Sequence, residues 1–323
     1  MKLGRLRFAS KYLTIQHFYH EKQWSINWMC KHLGVTRAAY YKWLKRTVPE
    51  AEKENTIIAQ LIVEYDDRFQ HILGYRRMTD WINRLNGTHY SRNRIHRIMK
   101  ELNIHSIIRG KKKKYRTTSP EATAENILNR DFNAEIPNQK WATDVTEFKW
   151  YEGPVAHKLY LSAILDLYDR SIVAYIVSSR NDNKLVFDTF EKAVLANPDA
   201  HPLFHSDRGF QYTGKAFQSM LSQQAMTQSM SRVGHCIDNC PTEGFWGILK
   251  AEMYHLTRFN NEDELRAAID RYIHFYNYER FQERFGTRTP MEVRTAALAT
   301  RKPVQFPIAE NKRILQYKAK FAA

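Results

Sequence analysis

The chain of 323 residues is 43% hydrophobic and 13% aromatic, enough for two or three domains with ordinary cores. It has no run near the roughly 18 apolar residues of a membrane span, no apolar signal core in the basic N-terminus MKLGRLRFASKYLTIQHFYHEKQW, and too few cysteines (Cys30, Cys236, Cys240) for a disulfide framework. A cytoplasmic protein is expected, and its +16 net charge is one-sided: residues 1–140 hold 27 Lys and Arg against 13 Asp and Glu, residues 141–323 hold 23 against 21, so the front should bind a polyanion.

Residues 25–46, SINWMCKHLGVTRAAYYKWLKR, read as helix, tight turn, helix. Ser25 is the expected N-cap, Ile26, Met29 and Leu33 recur at helical spacing, and Gly34 stands where a left-handed residue is wanted. Thr36 then caps a second helix with Ala39, Tyr40, Trp43 and Leu44 expected on its buried face. Arg37, Tyr41, Lys42 and Lys45 fall on the other face, the layout of a helix-turn-helix DNA reader. A plain helical hairpin with a solvated basic face is the competing reading.

Residues 53–70 predict another helix, with Ile57, Ile58, Leu61, Ile62 and Tyr65 on its apolar side. The stretch 74–104, GYRRMTDWINRLNGTHYSRNRIHRIMKELNI, repeats the helix-turn-helix logic. Asn86-Gly87 punctuates, Ser91 caps, and Ile95, Ile98, Met99 and Leu102 make the buried stripe. Arg92, Arg94, Arg97 and Lys100 decorate that last helix as expected DNA contacts. Beyond Ile104, the run Lys111, Lys112, Lys113, Lys114 sits in a Thr/Ser/Pro stretch that suits an extended basic linker. Its phosphate contacts would carry affinity without sequence information.

From residue 138 the pattern turns to strands. QKWATDVTEFKW, HKLYLSAILDLYDR and SIVAYIVSS predict an antiparallel meander, followed by a helix over 183–196. A short strand then enters His205-Ser206-Asp207, with a helix near 213–224, a strand near AMTQSMS and a helix from about 241. That order predicts an α/β, ribonuclease H-like core with a mixed sheet. The expected divisions are 1–50 and 51–104 as two helix-turn-helix regions and 105–137 as linker. Residues 138–255 would be the catalytic core and 256–323 its helical extension with a basic tail.

His205, Ser206 and Asp207 are the residue types of a serine hydrolase triad, but they are consecutive on a strand. Ser206 therefore faces away from both neighbours, and no nucleophile elbow is present. Asp144 lies mid-strand, Asp207 at a strand end, and Glu243 on a helix opened by Pro241, so three carboxylates are expected at one sheet edge. Such a set needs divalent cations, and oxygen-only ligands favour Mg²⁺ or Mn²⁺, with two ions expected. Glu147 points to the opposite strand face, Glu252 lies off the helical face, and Asp166 and Asp169 suit turns or salt bridges. His235, Cys236 and Cys240 lack a fourth partner for zinc.

Four ordered stretches span about 129–294: NRDFNAEIPNQKWATDVTEF, HSDRGFQYT, SRVGHCIDNCPTEGFWGILKAE and YNYERFQERFGTRTPMEV. They resemble the second-reading-frame (OrfB-type) transposases of bacterial insertion sequences, which carry a retroviral-integrase-like core. The GYRR…RIMKELNI region resembles the upstream helix-turn-helix of the same proteins. Thirty-five residues separate Asp207 from Glu243, the interval of that family's Asp-Asp-Glu signature. The resemblance implies that Asp144, Asp207 and Glu243 are the metal-binding catalytic triad. It also implies that Lys250 lies near transposon-end DNA, and that Asp238-Asn239 matches a family pair of unassigned role.

The activity so implied is metal-dependent DNA cleavage and strand transfer at the ends of an insertion sequence, in a nucleoid-associated bacterial protein. The implied partners are double-stranded DNA (terminal repeats and target), further copies of the chain on that DNA, and an upstream first-frame (OrfA-type) protein or fusion. The chain departs from the family pattern where Arg280 is followed by Phe281-Gln282 in place of a histidine, at Cys240-Pro241, and in the basic tail 301–323. Two other readings compete. One is a DNA-binding regulator of transposition with an idle core; the other is a ribonuclease H, which leaves the tandem readers unexplained.

Overall fold

The computed structural model describes residues 9–47, 49–108, 127–128, 131–231 and 240–308, in two compact units, 1–109 and 110–323. Lys111–Lys114, His235, Cys236, Asp238, Asn239, the side chain of Cys240 and the tail from 309 lie outside the described residues.

In the first unit, α1 (Ala9–Lys22), α2 (Ile26–His32) and α3 (Arg37–Leu44) enclose Tyr12, Ile15, Met29, Cys30 and Tyr40. Ser25 and Thr36 cap their helices by accepting from the Trp28 and Ala39 amides, and Gly34 holds a left-handed φ of 62°. Leu44, expected inside, is 46% exposed, because Trp43 takes the contact with α1, its ring 5.5 Å from that of Tyr12.

Three more helices follow, α4 (Glu50–Arg68), α5 (Tyr75–Asn86) and α6 (Arg92–Glu101). The α4 stripe of Ile58, Ile62 and Tyr65 is buried, as are Met78, Trp81 and Ile82 of α5 and Ile95, Ile98 and Met99 of α6. Ile57 is 55% exposed, a correction to the expected apolar face. The buried stripe also takes in Asn55, Ala59 and Asp66, which rotates its centre away from Ile57. Gly87 closes α5 in the left-handed region, and Ser91 caps α6 by accepting from the Arg94 amide.

The second unit is built on β1 (Lys140–Glu152), β2 (Val155–Asp166), β3 (Ile172–Ser178), β4 (Leu203–Ser206) and β5 (Thr227–Met230), ordered β3-β2-β1-β4-β5. The first three strands are antiparallel neighbours, and β4 runs parallel to β1 and β5 to β4. That is the mixed sheet of a ribonuclease H-like fold. Helices α7 (Asn183–Ala196), α8 (Phe210–Thr213) and α9 (Lys215–Gln223) lie between the strands in sequence, and α10 (Cys240–Glu252), α11 (Glu262–Tyr278) and α12 (Pro290–Leu298) follow them. The helix expected near 213–224 is α9, and the short α8 before it, set off where Gly214 is extended (φ −71°, ψ 143°), was not expected.

Both faces of the sheet are covered. Ala142, Phe148, Leu161 and Ala163 meet Phe245, Trp246 and Leu249 of α10 and Ile269, Tyr272 and Tyr276 of α11. On the other side Trp141, Ile164, Ala174 and Phe204 meet Val186 and Phe190 of α7 and Phe217 and Leu221 of α9. Strand alternation therefore places Asp144, even-numbered like Ala142 and Phe148, on the α10 side. A capping box between Thr289 and Glu292 starts α12, whose Arg294 reaches both Asp166 and Asp169 at 3.0 Å. Those two acids are structural. No described helix is long and apolar enough to cross a membrane.

Candidate active site and nucleic-acid interface

The site begins with strand register. Trp141 pairs with Phe204 and Ala142 with His205 in the parallel β1/β4 ladder. Carried two residues further, the same register sets Asp144, mid-way along β1, level with Asp207, the residue just past the end of β4. Asp144 is clamped at both oxygens: Oδ1 accepts from the Val145 amide at 2.8 Å and Oδ2 from the Trp246 indole at 3.0 Å. The Asp207 Oδ1 accepts from the Gly209 amide at 2.9 Å. A Cβ at position 209 would lie 3.0 Å from that oxygen and from Gln211 Oε1, so a larger residue there would push the Asp207 carboxylate from this position. Glu243 occupies the first turn of α10, exposed, one helical turn before Trp246.

Electrostatics tie the three acids together. Burial raises the Asp144 pKa to about 7, with repulsion from Asp207 and then Glu243 adding to it against the two N–H donors. Burial also raises Asp207, opposed by the Gly209 amide, and raises Glu243. Among the described residues no basic side chain forms an ion pair with any of the three. An oxygen-only, charge-excess set of this kind fits a hard divalent cation. As a set the three stand wider than the 4.8 Å within which the ligand atoms of Asp66, Asp67 and His71 cluster in the head. Lys250 lies half-buried over the Phe148 ring at 5.2 Å; burial lowers its pKa while Asp144 and Glu147 support its charge.

The neighbouring acids and the apparent triad have other occupations. Glu252 is buried against Arg280 (2.8 Å) and the Tyr272 hydroxyl (2.9 Å), and Glu147 pairs with Lys158 at 2.9 Å. The His205 ring meets the hydroxyls of Ser229 (3.0 Å) and Ser231 (3.2 Å), while the Ser206 hydroxyl donates to the Asp207 carbonyl. His205 and Ser206 thus face different partners, which removes acyl-transfer chemistry. Beneath the acids, the buried Tyr212 hydroxyl lies 3.3 Å from Thr143 Oγ1, its pKa driven up by burial and by the charges of Asp144 and Asp207.

In the head, Arg37, Tyr41, Lys42 and Lys45 are all exposed on one side of α3. On α6 one expected DNA contact already has partners within the protein. Arg94 is bound to Asn55 Oδ1 (2.8 Å), Glu54 (2.7 Å) and the Ala51 carbonyl (3.2 Å), so it staples α6 to α4. Arg92 lies 3.7 Å from Asp80. The open stripe of α6 is Asn93, His96, Arg97 and Lys100, with the His96 ring tilted against that of Tyr75 at 4.5 Å. Asn93 and His96 share this exposed side with Arg97 and Lys100 at i, i+3, i+4, i+7 spacing. Trp246 was missed in the sequence, its helical turn from Glu243 being the only hint.

Fold and site together define an integrase-type catalytic unit following a helix-turn-helix head. Integrase core domain models match residues 134–236 and 243–298, and an HTH-like domain model matches residues 52–112. A protein described as transposase InsK for insertion sequence element IS150 of Escherichia coli is 38% identical over 266 residues, covering 80% of this chain and 90% of that one. The 31 kDa protein of insertion element IS600 of Shigella sonnei is 34% identical over 272 residues, 82% of this chain and 97% of its own. The HTLV-2 integrase catalytic core domain, solved in complex with magnesium, is 19% identical with a TM-score of 0.39, covering 49% of this chain and 97% of that one. The chain belongs to the insertion-sequence transposases. It is a DNA transposase, an enzyme of the polynucleotidyl transferase type, and it binds DNA.

Proposed function

We propose that Asp144, Asp207 and Glu243 are the metal-holding catalytic carboxylates of a transposase that cleaves and joins DNA at the ends of its insertion sequence. The observation that carries the reading is the levelling of Asp144 and Asp207 by the β1/β4 register, with no described basic partner for either. When bound, Mg²⁺ or Mn²⁺ ions, two in number, supply the Lewis acidity that activates a water or a 3′-hydroxyl and steadies the leaving oxygen. The chain's own work is to hold its oxygens fixed. The Val145 and Trp246 N–H groups stop the Asp144 carboxylate from turning, and the Gly209 amide does the same for Asp207. Lys250, packed on Phe148 beside this edge, is suited to a phosphate of the transposon end.

On this reading 1–50 and 51–104 are the DNA-reading regions and 105–137 the basic linker. Residues 138–255 are the catalytic core and 256–323 its extension and tail. The proposed contacts with terminal repeats and target duplex are Arg37, Tyr41, Lys42, Lys45, Arg92, Arg97, the run Lys111–Lys114 and Lys250. The protein would act in the bacterial cytoplasm at the nucleoid, as an oligomer pairing two ends, with an OrfA-type first-frame protein or fusion as partner. The test is Asp207→Asn against a labelled end duplex with Mg²⁺. Cleavage should vanish while binding persists; a fully active variant overturns the assignment. Wild-type binding without cutting at any Mg²⁺ or Mn²⁺ concentration would favour the regulator reading.

A further inference from the structure

A buried indole N–H is a donor only, and leaving it without an acceptor is costly. Trp246 is 6% exposed, and its acceptor is Asp144 Oδ2 at 3.0 Å, across 102 residues of sequence. The bond links two elements that each carry one acid: β1 with Asp144, and α10 with Glu243 one turn before Trp246. The Trp246 ring packs among Phe148, Phe245 and Leu249, so its position is set by the sheet–helix core. The Val145 amide occupies the other oxygen. Each Asp144 oxygen is thus engaged once by protein and keeps lone pairs free, with the carboxylate plane fixed.

We propose that Trp246 is a positioning residue that orients the Asp144 carboxylate for metal binding and registers the Glu243 helix against it. This rests on the reading of Asp144 as a metal ligand. An aromatic residue serving only to fill the core would do so equally well without its N–H. Hydrogen-bond partners of metal ligands, when removed, typically cost about 10- to 100-fold in metal affinity or activity. The proposal assigns that cost to one proton of one indole.

The test uses the full chain with two variants, Trp246→Phe and Trp246→β-(3-benzothienyl)alanine, the second keeping the bicyclic shape with sulfur in place of N–H. Mn²⁺ alone is titrated calorimetrically, and cleavage of an end duplex gives kcat and KM. Both variants should weaken Mn²⁺ binding about 10- to 100-fold and lower kcat at unchanged KM for DNA. The isostere should do so while melting within a few degrees of wild type. Asp144→Asn is the control that separates the two readings. If it abolishes Mn²⁺ binding while the isostere binds and cleaves like wild type, the role of Trp246 is refuted and the ligand reading stands. If Asp144→Asn itself binds Mn²⁺ normally, the ligand reading falls and takes this proposal with it.

Discussion

Asp144→Asn is expected to stabilise the metal-free protein, and to do so more as the pH rises. Burial and the Asp207 charge lift Asp144 from the ordinary aspartate value of 3.8 to about 7. Between those values the native chain keeps a proton that the unfolded chain has released, so native stability falls as pH increases. The contribution is complete below the unfolded value and gone above the folded one. Each pH unit in that window is worth about 1.36 kcal/mol. From pH 5 to pH 7 wild type therefore loses about 3 kcal/mol that asparagine, which does not titrate, retains. In a unit of this size, one kcal/mol moves the melting temperature by about 2–4 °C, which makes the expected gap about 6–12 °C. A protonated carboxyl still accepts through its hydroxyl oxygen, whereas the carboxamide NH₂ leaves one donor, Val145 or Trp246, without an acceptor; that cost to the variant does not titrate and cancels in the difference between the two pH values. Calorimetry of wild type and variant in chelator at pH 5 and pH 8 reads the gap. Mg²⁺ at about a hundred times its dissociation constant should then restore about 2.7 kcal/mol to wild type alone. A gap that is the same at both pH values refutes the reasoning.

Three other outcomes follow from the same geometry. Arg294→Met strands Asp166 and Asp169, both with fully buried side chains, and should cost about 3–5 kcal/mol, lowering the melting temperature by about 6–20 °C. The loss should be smaller at pH 5, because burial and Asp166 already raise Asp169 to about 7; a fall below about 2 °C at neutral pH contradicts the buried-network account. Lys42→Ala and Arg97→Ala should each reduce the slope of log binding constant against log salt by about 1. Arg94→Ala should leave that slope alone and lower the melting temperature of the head, which salt-series binding and thermal scans on the full chain distinguish. Ser206→Ala should keep end cleavage within a few-fold of wild type, since its hydroxyl serves the Asp207 carbonyl; a hundredfold loss would return that hydroxyl to the chemistry.

The features legible in the sequence were those set by local chemistry. The helix expected over 183–196 is α7 to the residue, and Ser25, Thr36 and Ser91 cap where their oxygen chemistry requires. What failed depended on partners far along the chain. Periodicity located the apolar stripe of α4 but could not say which edge its neighbours cover, hence Ile57. Charge alone marked Arg94, and could not show its partner Asn55, 39 residues earlier on another helix. Asp166 and Asp169 were read as turn or salt-bridge residues, yet nothing in their neighbourhood names Arg294, which is 128 and 125 residues away.

The candidate site divides along the same line. Asp144 and Asp207 are brought level by a strand pair, whose period of two and parallel register follow from the backbone alone. Glu243 has no such guarantee, because it rides on a helix whose placement depends on docking against the sheet. The Trp246–Asp144 bond joins these two logics, since it is made by the helix to the strand-borne carboxylate itself. Loss of the bond should therefore act twice, releasing the Asp144 plane and loosening the register of Glu243. Asp144→Asn removes the charge and one acceptor oxygen but leaves the helix register to the core packing. If the two perturbations are combined, their effects on the melting temperature in chelator should fall well short of additive, as expected for residues acting on one carboxylate. Full additivity would place Trp246 outside the metal edge.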